Sequence, residues 1–308
     1  MKKDLRIVFM GTPEFAVPSL EILIENSFDI VGVVTAPDKP AGRGLKLTSS
    51  PVKDAALKHN IPVLQPASLK SEEFIAELKA LKANLQIVVA FRMLPEVVWN
   101  MPSIGTFNLH GSLLPQYRGA APINWAVING EAKTGVTTFF LRHEIDTGDI
   151  LFKDEEPILP TDTAGTLYER LMHKGAKLVL KTVQAISEGN YKTIPQEFPG
   201  ILRSAPKIHK DTCRIDWNKS AEEIYNFVRG LSPYPAAWTS FNGKDHKIYS
   251  VKILDKKYPD LQTGNYTSDN KTFLHFKTGS GAVSVEELQM EGKKKMHIEE
   301  YLRGNKLA

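Results

Sequence analysis

The first half of the chain alternates short apolar runs with segments of helical periodicity, and this alternation constrains the fold more than any other feature. The apolar runs are LRIVFMG (5–11), DIVGVVTAP (29–37), LQIVVAF (85–91) and GTFNLH (105–110). Between them lie helical patterns such as SEEFIAELKALKA (71–83), which Ser71 opens with acidic residues in its first turn. Strand–helix alternation with continuously apolar strands is typical of parallel sheets covered on both faces. The pattern therefore predicts a Rossmann-like open, mostly parallel α/β sheet, with its ligand beyond the carboxyl ends of the strands.

The second half of the chain has a different pattern. Residues 190–209 are rich in proline and show little periodicity, which predicts a linker. A helical pattern follows, and then short alternating strands separated by glycine turns, as in a small C-terminal β-barrel of the OB-like type. The predicted division is a sheet domain over residues 1–189, a linker over 190–209 and a barrel domain over 210–308.

Composition excludes several classes of protein. The single cysteine, Cys213, excludes an intramolecular disulfide framework and a cysteine-cluster metal site, and we assign no function to it. No window approaches the roughly 18 apolar residues of a membrane span. The start of the chain lacks the apolar run of a signal peptide. We expect a cytoplasmic enzyme or binding protein without a membrane partner, and a net charge of +4 permits an anionic partner without requiring one.

Two loops after strands are candidates for binding phosphate. Gly11 follows the first strand, but a dinucleotide fingerprint needs three glycines there, so Gly11 is explained by a tight turn alone. The loop PDKPAGRGLKL (37–47) combines glycines and prolines with Lys39, Arg43 and Lys46. Charge alone favours a solvated surface loop. Its place at the ligand-binding edge of the sheet equally favours a loop that grips phosphates.

The run NLHGSLLPQYRGAAPINW (108–125) follows neither a helical nor a strand period and gathers diverse polar groups. Asn108 and His110 are two residues apart on an extended segment, so their side chains project to one face. Asp146 lies further on in DTGD, a sequence that also suits an ordinary polar turn. An Asn–His–Asp set suits acyl transfer to a nucleophile supplied by the substrate, because Asn and His stabilise an oxyanion and a carboxylate assists proton transfer. No metal site is expected, since HExxH is absent and the pair His143–Glu144 supplies too few ligands for a metal ion.

At these residues the chain resembles the methionyl-tRNA formyltransferase family over nearly its whole length. The motifs that carry the resemblance are FMGTPEFAVPSL, the basic loop, NLHGSLLPQYRGAAPINWAVINGE, TGVTTF, DTGDIL, TLYERL, APKIHKDTCRIDW, GLSPYPAAW and GKKKM. HGSLLP and YRG are shared with the wider folate-dependent formyltransferases. The basic loop, RIDW and the appended barrel are more specific to the tRNA enzymes.

The resemblance implies a formyltransferase fold, 10-formyltetrahydrofolate as a co-substrate, and initiator methionyl-tRNA as the acceptor for translation initiation. It implies Asn108, His110 and Asp146 as the catalytic set. The segment of Ser112, Leu113, Leu114 and Pro115 corresponds to the lining of the folate site. The element around Arg43, with Lys39 and Lys46, and the cluster of Lys293, Lys294 and Lys295 in the barrel correspond to surfaces that contact tRNA. We expect no metal, and a monomer.

Two alternatives remain open from the sequence. A formyltransferase acting on an amino-sugar nucleotide would share the Asn–His–Asp set, although it would not need the basic loop and the barrel. A binding protein without activity is disfavoured by the intact set. The chain departs from the family where AFRMLP replaces an AYG-type segment, so Arg92 stands in place of a glycine and alters the expected wall of the folate pocket.

Overall fold

The computed structural model describes residues 4–41, 46–197 and 200–307. Its strands are β1 (Arg6–Gly11), β2 (Asp29–Val34), β3 (Lys39–Ala41), β4 (Lys46–Thr48), β5 (Val63–Leu64), β6 (Leu85–Val89), β7 (Gly105–His110), β8 (Arg118–Gly119), β9 (Lys133–Phe140), β10 (Ile150–Pro157), β11 (Ser204–Ala205), β12 (Ala237–Phe241), β13 (Lys244–Leu254), β14 (Tyr266–Ser268), β15 (Leu274–Lys277), β16 (Ala282–Met290) and β17 (Met296–His297). Its α-helices are α1 (Val17–Glu25), α2 (Pro51–Lys58), α3 (Glu72–Ala80), α4 (Glu96–Trp99), α5 (Pro122–Ile128), α6 (Ala164–Glu188), α7 (Ala221–Leu231) and α8 (Ile298–Gly304). Short 3₁₀ helices span Glu14–Ala16 and Asp211–Cys213.

Within these residues, contacts divide the chain into two compact units. The first comprises Met1–Gly119, Gly135–Glu156 and Tyr168–Ser204, and the second comprises Ala120–Thr134, Pro157–Leu167 and Ala205–Ala308. The domain boundaries predicted from the sequence stay a prediction. No described helix is both long enough and apolar enough to cross a membrane.

The first unit contains the predicted mostly parallel sheet. In the described part of the chain its strand order is β10-β9-β7-β6-β1-β2-β5. The pairs from β7 through β6, β1 and β2 to β5 are parallel, whereas β9 runs antiparallel to β7. Val8, Met10 and Val88 on the strands pack against Phe74 and Leu78 of α3. The predicted α/β fold class is confirmed, and the carboxyl ends of β1, β6 and β7 meet at one edge.

Local sequence signals explain where the early helices begin. The Ser71 hydroxyl accepts a hydrogen bond from the Phe74 N–H at the start of α3, as predicted from the sequence. Ser50 caps α2 in the same way, and Pro51 occupies the first helical position, where no N–H is needed. Gly11, the last residue of β1, must be glycine because a β-carbon there would lie only 2.7 Å from Cβ of Ala16. Its absence lets the strand and the following 3₁₀ helix pack closely at this edge.

The expectation that residues 108–125 lack a regular period is wrong at the far end of the run, where α5 begins at Pro122. At the near end β7 extends through His110, as the strand predicted over GTFNLH requires. Proline fits the first turn of a helix, and the Trp125 N–H donates to the Ala121 carbonyl 3.1 Å away. The irregular part is therefore the intervening segment, which carries HGSLLP and YRG.

The second unit contains the predicted β structure as an antiparallel half-barrel. Among the described residues its sheet has the order β12-β13-β16-β15-β14, with β17 added to β16. Val228 of α7 joins Ile248 and Leu288 of the sheet in one buried cluster. Trp217 stacks on Phe276 with ring centroids 4.3 Å apart. Ser220 and Glu223 form a capping box that fixes the start of α7.

A buried histidine lies in the core of this unit. His246 is 1 % exposed, stacks on Phe241, and holds a 2.9 Å hydrogen bond between Nε2 and the Tyr301 hydroxyl. Its Nδ1 lies 3.1 Å from the Lys244 carbonyl, which can only accept, so Nδ1 carries the hydrogen and Nε2 accepts from Tyr301. Burial lowers the pKa of His246 below the ordinary value of 6.5, and burial also lowers the pKa of His275.

We expect the free energy of unfolding to decrease as the pH falls below about 6.5. Below that pH the unfolded chain binds protons at His246 and His275, whereas the folded protein keeps both rings neutral. Their contribution to the free energy of unfolding is therefore complete above the ordinary pKa and is lost as the pH falls through the lowered pKa of the folded state. Urea unfolding followed by tryptophan fluorescence at several pH values measures the slope. His246→Gln should flatten it, and an unchanged slope in that variant would contradict the assignment.

Candidate active site

Strand β7 carries two of the predicted catalytic side chains on one face of the sheet. Asn108 pairs with Val88 of β6 and Phe139 of β9, and His110 pairs with Thr137 of β9. Within residues 4–41, 46–197 and 200–307, the half-buried Asn108 amide makes no hydrogen bond. It is therefore available to hydrogen-bond a ligand near the carboxyl end of β7.

The imidazole of His110 is held by a backbone carbonyl. His110 is only 7 % exposed, and its Nε2 lies 2.8 Å from the carbonyl oxygen of Tyr117. A carbonyl only accepts, so Nε2 donates and must carry a hydrogen. Nδ1 is therefore the ring nitrogen that can gain or release a proton during a reaction. This contact could not be predicted from the sequence, because a main-chain carbonyl leaves no signature there.

Asp146 faces that second ring nitrogen. Its Oδ2 lies 3.8 Å from Nδ1 of His110, which is within ion-pair range and beyond a direct hydrogen bond. The same oxygen accepts a 3.0 Å hydrogen bond from the Gly119 N–H. The carboxylate is 15 % exposed, so its charge acts on His110 with little screening by solvent. The structure thus brings together the His110 and Asp146 side chains that the sequence could only group by residue type.

The turn that carries Asp146 is tightly constrained. Asp146 has a φ of 55°, a left-handed conformation that costs free energy in a non-glycine residue unless its surroundings enforce it. A β-carbon at Gly148 would overlap the Phe140 carbonyl oxygen. Asp149 is not part of the pair with His110. Its carboxylate binds the Arg142 guanidinium at 2.6 Å, and its carbonyl accepts from the Phe140 N–H.

The segment proposed to line the folate site is an inward-facing turn. The buried Ser112 hydroxyl donates to the Gln116 carbonyl at 2.6 Å. The Thr137 hydroxyl donates to the Ser112 carbonyl and accepts from the Leu114 N–H. Leu114 and Pro115 are buried, and Leu113 is partly exposed. Ser112 and Leu114 therefore fix the shape of this turn, and the folate role of the segment stays a prediction.

Arg92 is secured to the neighbouring loop. Its guanidinium donates to the backbone carbonyls of Pro66 and, at 3.1 Å, of Ala67. Burial lowers its pKa from the usual arginine value. The long side chain that replaces the family's glycine is thus directed onto residues 66–67 and is anchored there by hydrogen bonds.

The predicted tRNA-contacting residues fall into two groups. Arg43 lies outside the described residues. Lys39 is exposed on β3, which pairs antiparallel with the β4 strand that Lys46 begins. The root of this hairpin is fixed by Asp38, which binds the Lys53 ammonium at 2.6 Å and accepts from the Gln65 amide at 2.8 Å. These contacts lower the pKa of Asp38, and the hydrogen bond from Lys53 has the largest effect.

The lysine cluster of the second unit is exposed. Lys295 forms an ion pair with Glu287 at 2.8 Å, and its ammonium lies 5.6 Å from the centre of the Tyr249 ring. Lys293 and Lys294 are also exposed. In the described part of the chain, no cluster of three or more His, Cys, Asp or Glu side chains could hold a metal ion.

The amino-acid sequence of the chain matches models and members of a known protein family. The Formyl transferase model matches residues 5–183, and the Formyl transferase, C-terminal domain model matches residues 207–306. The methionyl-tRNA formyltransferase of Bacteroides fragilis is 57% identical over 310 residues, covering 98% of this chain and 96% of its own length. That of Bacteroides thetaiotaomicron is 54% identical, covering 100% of this chain and 98% of its own length.

The chain belongs to the methionyl-tRNA formyltransferase family.

Solved structures of more distant proteins share the formyltransferase fold. WlaRD, a sugar 3N-formyl transferase in the presence of dTDP and 5-N-formyl-THF, aligns with a TM-score of 0.69 at 21% identity, over 95% of this chain and all of WlaRD. HypX from Aquifex aeolicus in complex with tetrahydrofolic acid aligns with a TM-score of 0.66 at 19% identity. That alignment covers 99% of this chain and 49% of HypX, so the chain spans about half of that protein. At such identities the likeness concerns the fold alone, whereas the methionyl-tRNA formyltransferases match nearly end to end.

Proposed function

We propose that this protein transfers the formyl group of 10-formyltetrahydrofolate to the α-amino group of methionine on initiator methionyl-tRNA. The observation that carries the chemistry is the His110–Asp146 pair, in which Nε2 of the ring is committed to the Tyr117 carbonyl and Nδ1 faces the carboxylate. The sequence identity of 54–57% to methionyl-tRNA formyltransferases, over nearly the whole chain, favours tRNA over an amino-sugar nucleotide as the acceptor.

The reaction begins with attack of the neutral methionyl amine on the formyl carbon. A C–N bond forms, and the carbonyl electron pair moves onto oxygen to give a tetrahedral oxyanion. The Asn108 amide donates a hydrogen bond to that oxygen, and the His110 imidazolium, protonated on Nδ1, donates a second. Asp146 balances the positive charge on the ring.

Completion of the transfer requires movement of a proton. Asp146 accepts the proton of the attacking amine, directly or through a water molecule. The oxyanion then re-forms the carbonyl as the bond between the formyl carbon and the folate nitrogen breaks, and that nitrogen takes the bonding electron pair and the proton that the amine gave to Asp146. Folate is thus consumed as a substrate, and the protein forms no covalent intermediate with the formyl group.

Acceptor recognition is assigned to basic surfaces on both units. Lys39, Arg43 and Lys46 contact the acceptor end of the tRNA, and Lys293, Lys294 and Lys295 contact its backbone. The turn over Ser112, Leu113, Leu114 and Pro115 shapes the folate site. The protein works as a monomer in the cytoplasm, without a metal.

Formyl transfer from 10-formyltetrahydrofolate, measured with methionyl-tRNA and with an amino-sugar nucleotide as rival acceptors, tests the proposal. Wild type should formylate the tRNA only. Asn108→Ala should lose about 100-fold or more in kcat, because one oxyanion donor is removed. Transfer to the sugar alone would keep the chemistry and overturn the acceptor, and transfer to neither would overturn the function.

Arg43→Ala is expected to weaken transfer to tRNA while leaving folate binding nearly intact. Loss of one phosphate contact should reduce the slope of log KM for tRNA against log salt by about one. The matched control is Lys79→Ala, which removes an exposed cation from α3. Equal losses of tRNA and folate affinity in Arg43→Ala would contradict the role in tRNA binding.

A further inference from the structure

A single side-chain amide links the two loops that position His110 and Asp146. The Gln196 Nε2 donates to the carbonyl oxygens of Asp146, at 2.9 Å, and Gly148, at 2.7 Å. Its Oε1 accepts from Nε of Arg118 at 3.2 Å and from Nη2 at 2.8 Å. Two donors and two lone pairs are the whole capacity of an amide, so every hydrogen-bonding site of Gln196 is used.

The residues on either side of Arg118 are those that hold the catalytic pair. Tyr117 supplies the carbonyl that fixes Nε2 of His110, and Gly119 supplies the N–H that binds Asp146 Oδ2. Gln196 therefore connects the segment that orients the imidazole to the turn that presents the carboxylate. A shift of either loop changes the 3.8 Å separation between His110 Nδ1 and Asp146 Oδ2.

The chain anchors Gln196 from outside the site. Ile194 and Ile150 exchange both backbone hydrogen bonds, with N–O distances of 2.8 and 2.9 Å. This antiparallel bridge seats the segment beside β10, at the end of the turn that carries Asp146. The segment falls in the stretch for which the sequence predicted only a linker.

The chemistry of the site favours glutamine at this position. Glutamate would retain the acceptor for Arg118 but would place a carboxylate against the carbonyls of Asp146 and Gly148, which have no hydrogen to donate. Alanine would remove all four bonds. The left-handed backbone of Asp146 would then lose a partner that helps to enforce it.

We propose that Gln196 is a positioning residue for formyl transfer, setting the geometry of the His110–Asp146 pair without touching substrate. This inference rests on the proposed function for its kinetic consequences. Misplacement of a catalytic group by about 1 Å can cost on the order of 100-fold in rate. Gln196→Ala should therefore lower kcat by up to about 100-fold and leave the KM for folate nearly unchanged.

The test combines Gln196→Ala and Gln196→Glu with Asp146→Asn in a double-mutant cycle. Once Asp146 has lost its charge, removing Gln196 should cost little more, because both act through the same group. Gln196→Glu should also lower kcat, since a carboxylate cannot donate to the Asp146 and Gly148 carbonyls although it still accepts from Arg118. Thermal unfolding of each variant identifies losses due to misfolding, and the nearly isosteric Gln196→Glu keeps the test valid if Gln196→Ala unfolds.

Gln116→Ala is the matched control. The Gln116 side chain also joins the stretch before Arg118 to residues C-terminal to Gln196. It donates to the Ile201 carbonyl at 3.0 Å and accepts from the Arg203 N–H at 2.8 Å. No hydrogen bond joins this side chain to Asp146 or Gly148 in the described part of the chain, so the loss of kcat in Gln116→Ala should add to the loss in Asp146→Asn. Additive losses for Gln196→Ala, or a wild-type kcat in that variant, would overturn the proposal.

NMR chemical shifts of the His110 ring nitrogens at one fixed pH separate this inference from the proposed function. Gln196→Ala should change these shifts in the free protein, whatever the protein formylates, because the Tyr117 carbonyl and the Asp146 carboxylate that flank the ring move. An inactive wild type with changed shifts in the variant would refute the function and retain the positioning role. Unchanged shifts would refute the positioning role even in an active enzyme.

Discussion

His110→Ala is expected to lower kcat for formyl transfer by about 1000-fold, the upper range for loss of one oxyanion donor. The substitution removes the ring that Tyr117 orients and Asp146 faces, so both the second donor and the charge balance are lost. The KM for 10-formyltetrahydrofolate should change much less than kcat, because the missing interaction forms mainly in the transition state. Single-turnover formylation of methionyl-tRNA measures the chemical step directly.

The control for this substitution is His173→Ala, which removes an exposed imidazole from α6. It should retain wild-type kcat. Thermal unfolding of both variants excludes misfolding as the cause of lost activity. A kcat for His110→Ala within about tenfold of the wild type would contradict the assigned role.

Gly148→Ala is expected to damage both stability and catalysis. An added β-carbon would collide with the Phe140 backbone carbonyl, which belongs to β9 and has little room to move. Relief of the collision must displace the turn that carries Asp146. We expect the free energy of unfolding to fall by about 3 kcal/mol, the upper range for overpacking. We also expect kcat to fall on the order of 100-fold in the molecules that remain folded.

Urea unfolding and steady-state formylation below the melting temperature measure these two effects separately. Gly304→Ala is the control, because a β-carbon at Gly304 has no heavy atom within 4 Å and this exposed residue ends α8. It should match the wild type in both measurements. Wild-type stability for Gly148→Ala would show that the turn adapts more easily than its contacts imply.

The local features of the fold follow from the sequence alone. Apolar runs of strand length and apolar residues at helical spacing are properties of consecutive residues, so β1, β2, β6 and β7 and the intervening helices could be predicted from them. Ser71 marked the start of α3 because capping involves residues only three positions apart. Period-two alternation likewise placed Asn108 and His110 on one face.

Other elements had signals too weak or too short to predict. β9 was recognised only as the motif TGVTTF, and its antiparallel place beside β7 depends on the path of the chain between them. The seven-residue α5 begins inside a run with no evident period. Short helices rely on tertiary packing for their stability, so their own sequence specifies them poorly.

The sequence by itself determined the strand–helix order of the first half, the β-strand character of the second half, and the residue types available for acyl transfer. Tertiary structure alone decided how those residues act. It brought Asp146 to Nδ1 of His110, committed Nε2 to the Tyr117 carbonyl, and placed Gln196 between the two loops. The physical reason is that these contacts join positions far apart in the chain and mostly involve backbone groups. Every residue carries a carbonyl, and only the folded path determines which one a distant side chain meets.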